Sequence, residues 1–174
     1  FKFIDTPHIA LMQARSEIFR MGEAVKVMFT DVIHSLKDRK LKELSKWRKR
    51  EYALDILQRE ITQFLVRVTQ GPISPDESRE IRSLLRMVNN LERIGDGVEN
   101  IAESIEKLIE QNLYISEEGM KDYENISHEL WTFLSMIVDA IRDEDKGIMA
   151  MAQEIEQRIN IMEDEMKGNH LIRL

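Results

Sequence analysis

The sequence predicts an all-α fold, a three-helix bundle followed by an incomplete second bundle. Three observations carry that prediction. Apolar residues recur at three-to-four spacing over long stretches, and no stretch alternates with period two. Only 7 Gly and 3 Pro interrupt 174 residues, and they cluster where helices could end. The first two helical patterns also recur, in the same order, later in the chain.

The first helix is expected over roughly 7–37. Thr6-Pro7 places a capping hydroxyl before a proline at the first helical position. Ile9, Met12, Ile18, Met21, Val25, Met28, Phe29, Val32, Ile33 and Leu36 then supply the period. Asp38-Arg39-Lys40 forms a polar joint. A second helix follows with Leu41, Leu44, Trp47, Leu54, Leu57, Ile61, Leu65 and Val68, and stops at Gln70-Gly71-Pro72 through a glycine C-cap. Ser74-Pro75-Asp76-Glu77 reads as a capping box with proline in the first turn. It opens a long third helix carrying Ile81, Leu84, Leu85, Val88, Leu91, Val98, Ile101, Ala102, Ile105 and Leu108. Ser116-Glu117-Glu118 opens a fourth, with acids where the helix dipole favours them. A turn at Asp143 to Gly147 leads to a fifth, over about 147–167.

Sliding the chain against itself by 105 residues pairs Phe29 with Leu134, Ile33 with Val138, Leu36 with Ile141 and Asp38 with Asp143. The same shift pairs Leu44 with Met149, Glu51 with Glu156, Leu54 with Ile159 and Glu60 with Glu165. Any two amphipathic helices align somewhere, but the shared turn position favours duplication. The expected organisation is a bundle over 1–113 and the first two helices of a second unit over 114–174, its third helix absent. The apolar face left half covered then calls for a partner or for further residues.

Composition narrows the function. With 43% hydrophobic and 33% charged residues the chain is too apolar for disorder. A formal charge of −7 argues against a nucleic-acid-binding domain. No Cys is present, which excludes disulfides and thiolate metal sites and suits a reducing cytosol. No run of eighteen apolar residues could span a bilayer. The chain starts at Phe1 and shows no signal-peptide pattern, so a piece of a larger protein is expected.

Chemistry concentrates in carboxylates. At 100° per residue, Glu92, Asp96, Glu99 and Glu103 fall within an arc of about 60°, along one edge of the Val88–Leu91–Gly95–Val98–Ala102 face. Acids at the border of a core are costly unless something positive meets them. Gly95 and Gly97 within a helix cost about 1 kcal/mol each relative to alanine, which suggests close approach of another helix or a ligand. On the second helix, Glu51 and Asp55 stack on one face beside Trp47 and Leu54. Two such pairs on adjacent helices would offer the oxygen donors that hard cations or iron favour in bundles. The competing reading is exposed acids in helical register, paired with Arg50 or Arg93.

Asn90-Leu91-Glu92-Arg93-Ile94-Gly95-Asp96, followed by Val98 and Asn100-Ile101-Ala102-Glu103, closely resembles the third-helix signature of PhoU domains. The resemblance implies a PhoU-like fold of spectrin-like three-helix bundles whose acid-x-x-x-Asp motifs hold multinuclear metal clusters. Glu92–Asp96 matches one motif and Glu51–Asp55 the other, and Glu99 and Glu103 extend the candidate ligand set. Iron, zinc, manganese or magnesium would be the ion. The opening Thr6-Pro7-His8-Ile9-Ala10-Leu11, with Ala14, Glu17-Ile18 and Arg20-Met21, resembles the segment linking a sodium/phosphate cotransporter membrane region to its PhoU tail. A histidine commonly follows the motif's aspartate in the family, and Gly97 stands there instead. In the second unit Asn160 matches Asp55, which leaves Glu156-x-x-x-Asn160 as a weaker pair. At most one complete metal site is therefore expected.

The resemblance implies a cytoplasmic adaptor in phosphate transport and signalling, working at the inner face of the membrane. Its expected partners are a membrane transporter region, in the same chain or separate, and a second copy in a homodimer; nucleic acid is not among them. The alternative is a metal-free helical scaffold for protein–protein contact. Lys37 to Arg50 holds eight basic residues against Asp38 and Glu43, read first as a solvated face and otherwise as a contact for anionic headgroups, should a membrane region precede Phe1. His8, His34, His128 and His170 are scattered, and Asp31-x-x-His34 stands alone, against a di-iron enzyme. No phosphate loop, nucleophile elbow or zinc-protease motif occurs, so no enzyme is expected.

Overall fold

A computed structural model describes residues 6–144 and, beyond them, residues 147, 154, 157, 158, 160, 161 and 164. Helix α1 spans Pro7–Asp38, α2 Leu41–Leu44, α3 Trp47–Val68, α4 Pro75–Glu110 and α5 Glu117–Arg142. The four long helices pack as an all-α bundle, and no described helix is long and apolar enough to cross a membrane. The fifth expected helix lies largely outside the described residues.

Helix ends follow local chemistry, with three corrections to the sequence reading. Ser74 and Glu77 form the expected capping box: Ser74 N–H donates to Glu77 Oε2 at 2.7 Å and Glu77 N–H to Ser74 Oγ at 3.1 Å. Ser116 likewise accepts from Gly119 N–H at 3.1 Å. Thr6 precedes α1 but its hydroxyl caps nothing; only its carbonyl accepts, from Ala10 N–H at 2.9 Å. Gly71 is not a left-handed C-cap, since α3 has already ended at Val68 and no described glycine has positive φ. The second expected helix is broken at Ser45-Lys46. There the Ser45 hydroxyl donates to Lys42 C=O at 2.9 Å, closing a turn on the carbonyl three residues back. The polar joint is real: Arg39 adopts φ 52° and reverses the chain after α1.

α1 is the central helix, packed against α3, α4 and α5. Its core residues include Leu11, Ile18, Met21, Val25 and Met28, all essentially inaccessible, whereas Ile9 and Met12 from the expected stripe are exposed. Small residues bring neighbours close. A Cβ added at Gly22 would lie 2.7 Å from Val138 Cγ2 on α5. Lys37 pairs with Glu124 at 3.9 Å and Lys26 sits 5.3 Å from the centre of the Trp131 ring, so α1 and α5 run antiparallel. At the far end Arg15 donates to Glu80 of α4 at 2.8 Å and also pairs with Glu144, tying three segments together.

Helices α3 and α4 are joined by a short turn and run antiparallel. Arg48 near the start of α3 meets Glu106 near the end of α4, and Leu54 meets Gly95 further in. The contacts between this pair decide where the acids come to lie.

Candidate metal centre

Leu54 on α3 and Leu91, Gly95, Val98 and Ala102 on α4 are buried. Their interlocking turns the adjacent edge of each helix toward the other, along the outside of the bundle. Those two edges carry the acids. Glu51 and Glu99 are half-buried and Asp96 is exposed, and one carboxylate oxygen from each of the three lies within 4.8 Å of the others. The helix pair thus gathers three oxygens from two helices at one point.

The other expected ligands flank this trio. Beyond the effect of burial, Asp55 raises the pKa of Glu51, and Asp96 that of Glu92, as each carboxylate one turn away adds its like charge. Glu103 is exposed and acts on Glu99 through its charge. The ridge therefore reads Glu103, Glu99, Asp96, Glu92 along α4, with Glu51 and Asp55 facing it from α3. Glu156 of the second unit lies outside the described residues. Asn160 accepts a hydrogen bond from Arg93.

Electrostatics show what the cluster lacks. Glu51 is pushed up to about 7 by partial burial and then by the charges of Asp55, Glu99 and Asp96. Glu92 is raised by burial and by Asp96, and Glu99 by burial, Glu103 and Asp96. Like charges held this close disfavour full ionisation unless a cation joins them. The basic neighbours offset little. Arg48 pulls Glu99 down, yet its guanidinium is bound to Glu106 by two contacts of 2.8 and 2.6 Å. Arg93 pulls Glu92 down while bonded to Asn160. Arg50, the other expected partner of the acids, turns away to Asp31 on α1.

This donor set suits a hard, oxygen-preferring cation such as magnesium, manganese or ferric iron, which Glu51, Asp96 and Glu99 would hold and Asp55 and Glu92 would support. Zinc, which favours nitrogen and sulfur donors, fits it least. The close approach expected at Gly95 is an ordinary contact, because a Cβ there would stand 3.5 Å from Leu54 Cδ1. The sequence reading missed Glu106, which accepts from the Trp47 indole N–H at 3.3 Å and clamps Arg48. Its signal was present: Glu106 lies one turn beyond Glu103 on the same stripe. A separate groove of about 510 Å³ lies between α1 and α5, lined by residues including Phe29, Tyr123 and Trp131, and none of the six acids borders it.

A family model described as PhoU domain matches residues 18–105, half of the chain, and the matched stretch contains all six acids. No curated protein and no solved structure matches the chain.

Proposed function

The chain belongs to the PhoU domain family of phosphate-regulon regulators, and from that premise we propose that it is a metal-dependent regulatory adaptor of phosphate transport. The observation that carries the metal part is the convergence of Glu51, Asp96 and Glu99 from two helices. A cation held there would fasten α3 to α4 and offset the charge of the ridge. Its open coordination positions would then face solvent, where a phosphate oxygen can reach them. Phosphate status and the stiffness of the α3–α4 pair would be coupled through that ion.

In this reading the domain is not an enzyme. It works on the cytoplasmic side of the membrane as part of, or beside, a sodium-dependent phosphate transporter. It restrains transport by contact with the membrane region, and a second copy is a further partner. The opening segment from Thr6 to Met21, with its likeness to a cotransporter linker, supports the transporter part.

Calorimetry with inorganic phosphate tests the reading, on protein loaded with manganese and on protein freed of metal by chelation. Phosphate binding that requires the metal and disappears in Asp96→Asn supports it. Absence of phosphate binding in the loaded protein, or equal binding without metal, overturns it in favour of a metal-free scaffold.

A further inference from the structure

The corner where α1 turns through α2 into α3 differs from the rest of the surface. Between Lys37 and Arg50 it carries eight basic residues and two acidic ones, in a chain whose formal charge is −7. Some of these cations are committed: Lys46 to Glu43 at 2.5 Å, Arg48 to Glu106, Arg50 to Asp31. Lys40, Lys42 and Lys49 are exposed and make no ion pair within 4.0 Å among the described residues. The left-handed Arg39 stands at the centre. It donates to Leu113 C=O at 2.8 Å and lies 4.1 Å from the centre of the Tyr114 ring. Arg39 thereby fixes the turn after α4 beside the lysines. Exposed apolar groups accompany the charge: Leu41 is 37% accessible, Leu113 36% and Tyr114 67%.

We propose that this corner docks the domain on an anionic lipid bilayer. Lysines that keep their charge in water are attracted to anionic headgroups, at about five-fold in affinity for each charge near the surface. Leu41 lies between Lys40 and Lys42 in the chain, Arg39 holds Leu113 and Tyr114 at the same turn, and all three can leave water for the boundary between headgroups and acyl chains, where amphipathic rings are at home. The remainder of the chain carries the acidic excess and is repelled by the same surface, so the corner is presented first. Nucleic acid is the other polyanion that a basic patch attracts. It offers nothing to the two leucines, and Tyr114, with Arg39 on its ring, is a single aromatic rather than a stacking series. The proposal deepens the membrane-side part of the proposed function and rests on it for the location. It involves none of the metal-site carboxylates.

The test is co-sedimentation of the whole chain, in chelator, with vesicles of phosphatidylcholine alone or mixed three to one with phosphatidylglycerol. The expected result is binding to the anionic vesicles only, weakened by salt. Lys40→Gln/Lys42→Gln/Lys49→Gln lowers the partition coefficient about a hundred-fold. Leu41→Ser/Tyr114→Ser lowers it with every charge intact, and Arg67→Gln/Arg86→Gln, at exposed arginines toward the opposite end of the α3–α4 pair, leaves binding near the parent's. Circular dichroism confirms that each variant is folded. Equal binding to neutral vesicles, no binding, or binding unmoved by the triple substitution overturns the proposal. So does tighter binding to a single-stranded oligonucleotide than to the vesicles, which assigns the corner to nucleic acid. Since chelator is present throughout, failure here leaves the metal reading standing, and failure of the metal titration leaves this one.

Discussion

Glu51 on α3 and Glu99 on α4 face one another across the helix pair, with carboxylate oxygens within 4.8 Å of each other and of Asp96. A like-charge contact between half-buried groups opposes the packing that creates it, unless a proton or a cation intervenes. The α3–α4 core, with Leu54 against Gly95, holds the helices together despite it. The consequences of that opposition can be measured.

Protons come first. Glu51 titrates at about 7 in the folded chain against 4.5 for an unperturbed glutamate. The folded state therefore binds more protons than the unfolded state between those values, and stability falls as pH rises through that window. Without metal, Glu51→Gln is expected to melt a few degrees above the parent at pH 8, with the gap closed at pH 4. Thermal unfolding by circular dichroism in chelator, at both pH values, checks the sign.

Two glycines make opposite predictions. Gly22→Ala drives a Cβ into Val138, whose branched side chain is fully buried and cannot swing aside, so a loss of about 1–3 kcal/mol is expected. Gly95→Ala meets Leu54 at an ordinary 3.5 Å and removes a helix-interior glycine, so it is expected to be neutral or to stabilise by up to about 1 kcal/mol. Urea unfolding of the two variants separates them.

Ser74→Ala removes the hydroxyl that accepts from Glu77 N–H at 3.1 Å and leaves half a capping box at the start of α4. A loss of about 1 kcal/mol is expected, against a few tenths for Ser74→Gly. The same denaturant measurement, with Ser74→Thr retaining a capping oxygen and expected to stay near the parent, tests whether the lost cap is responsible.

Much of this was legible in the sequence, and the reasons are specific. The period of α1 placed its end within a residue, because a long amphipathic stretch averages out local exceptions. Ser74-Pro75-Asp76-Glu77 was legible because its partners are three residues apart and need nothing from the rest of the fold. Thr6, Gly71 and the Ser45 break were misread, since each depends on a backbone angle that the residue type permits but does not dictate. Glu51, Asp96 and Glu99 could be nominated from helical angle alone. Their meeting could not, because it depends on the register between α3 and α4, set by Leu54 and Gly95. Gly22 carried no signal at all until Val138 was seen beside it.

The most direct measurement is a manganese titration, following the electron paramagnetic resonance of the free ion, on the parent and on Glu51→Gln/Asp96→Asn. Because even outer-shell partners of a metal are worth about 10–100-fold in affinity, removing two ligands is expected to weaken binding by at least about a hundred-fold. Tight binding in the parent that is lost in the double variant is the predicted result. Equal affinity in the two proteins, or no binding in the parent, would contradict the account and leave the ridge of acids as a solvated surface.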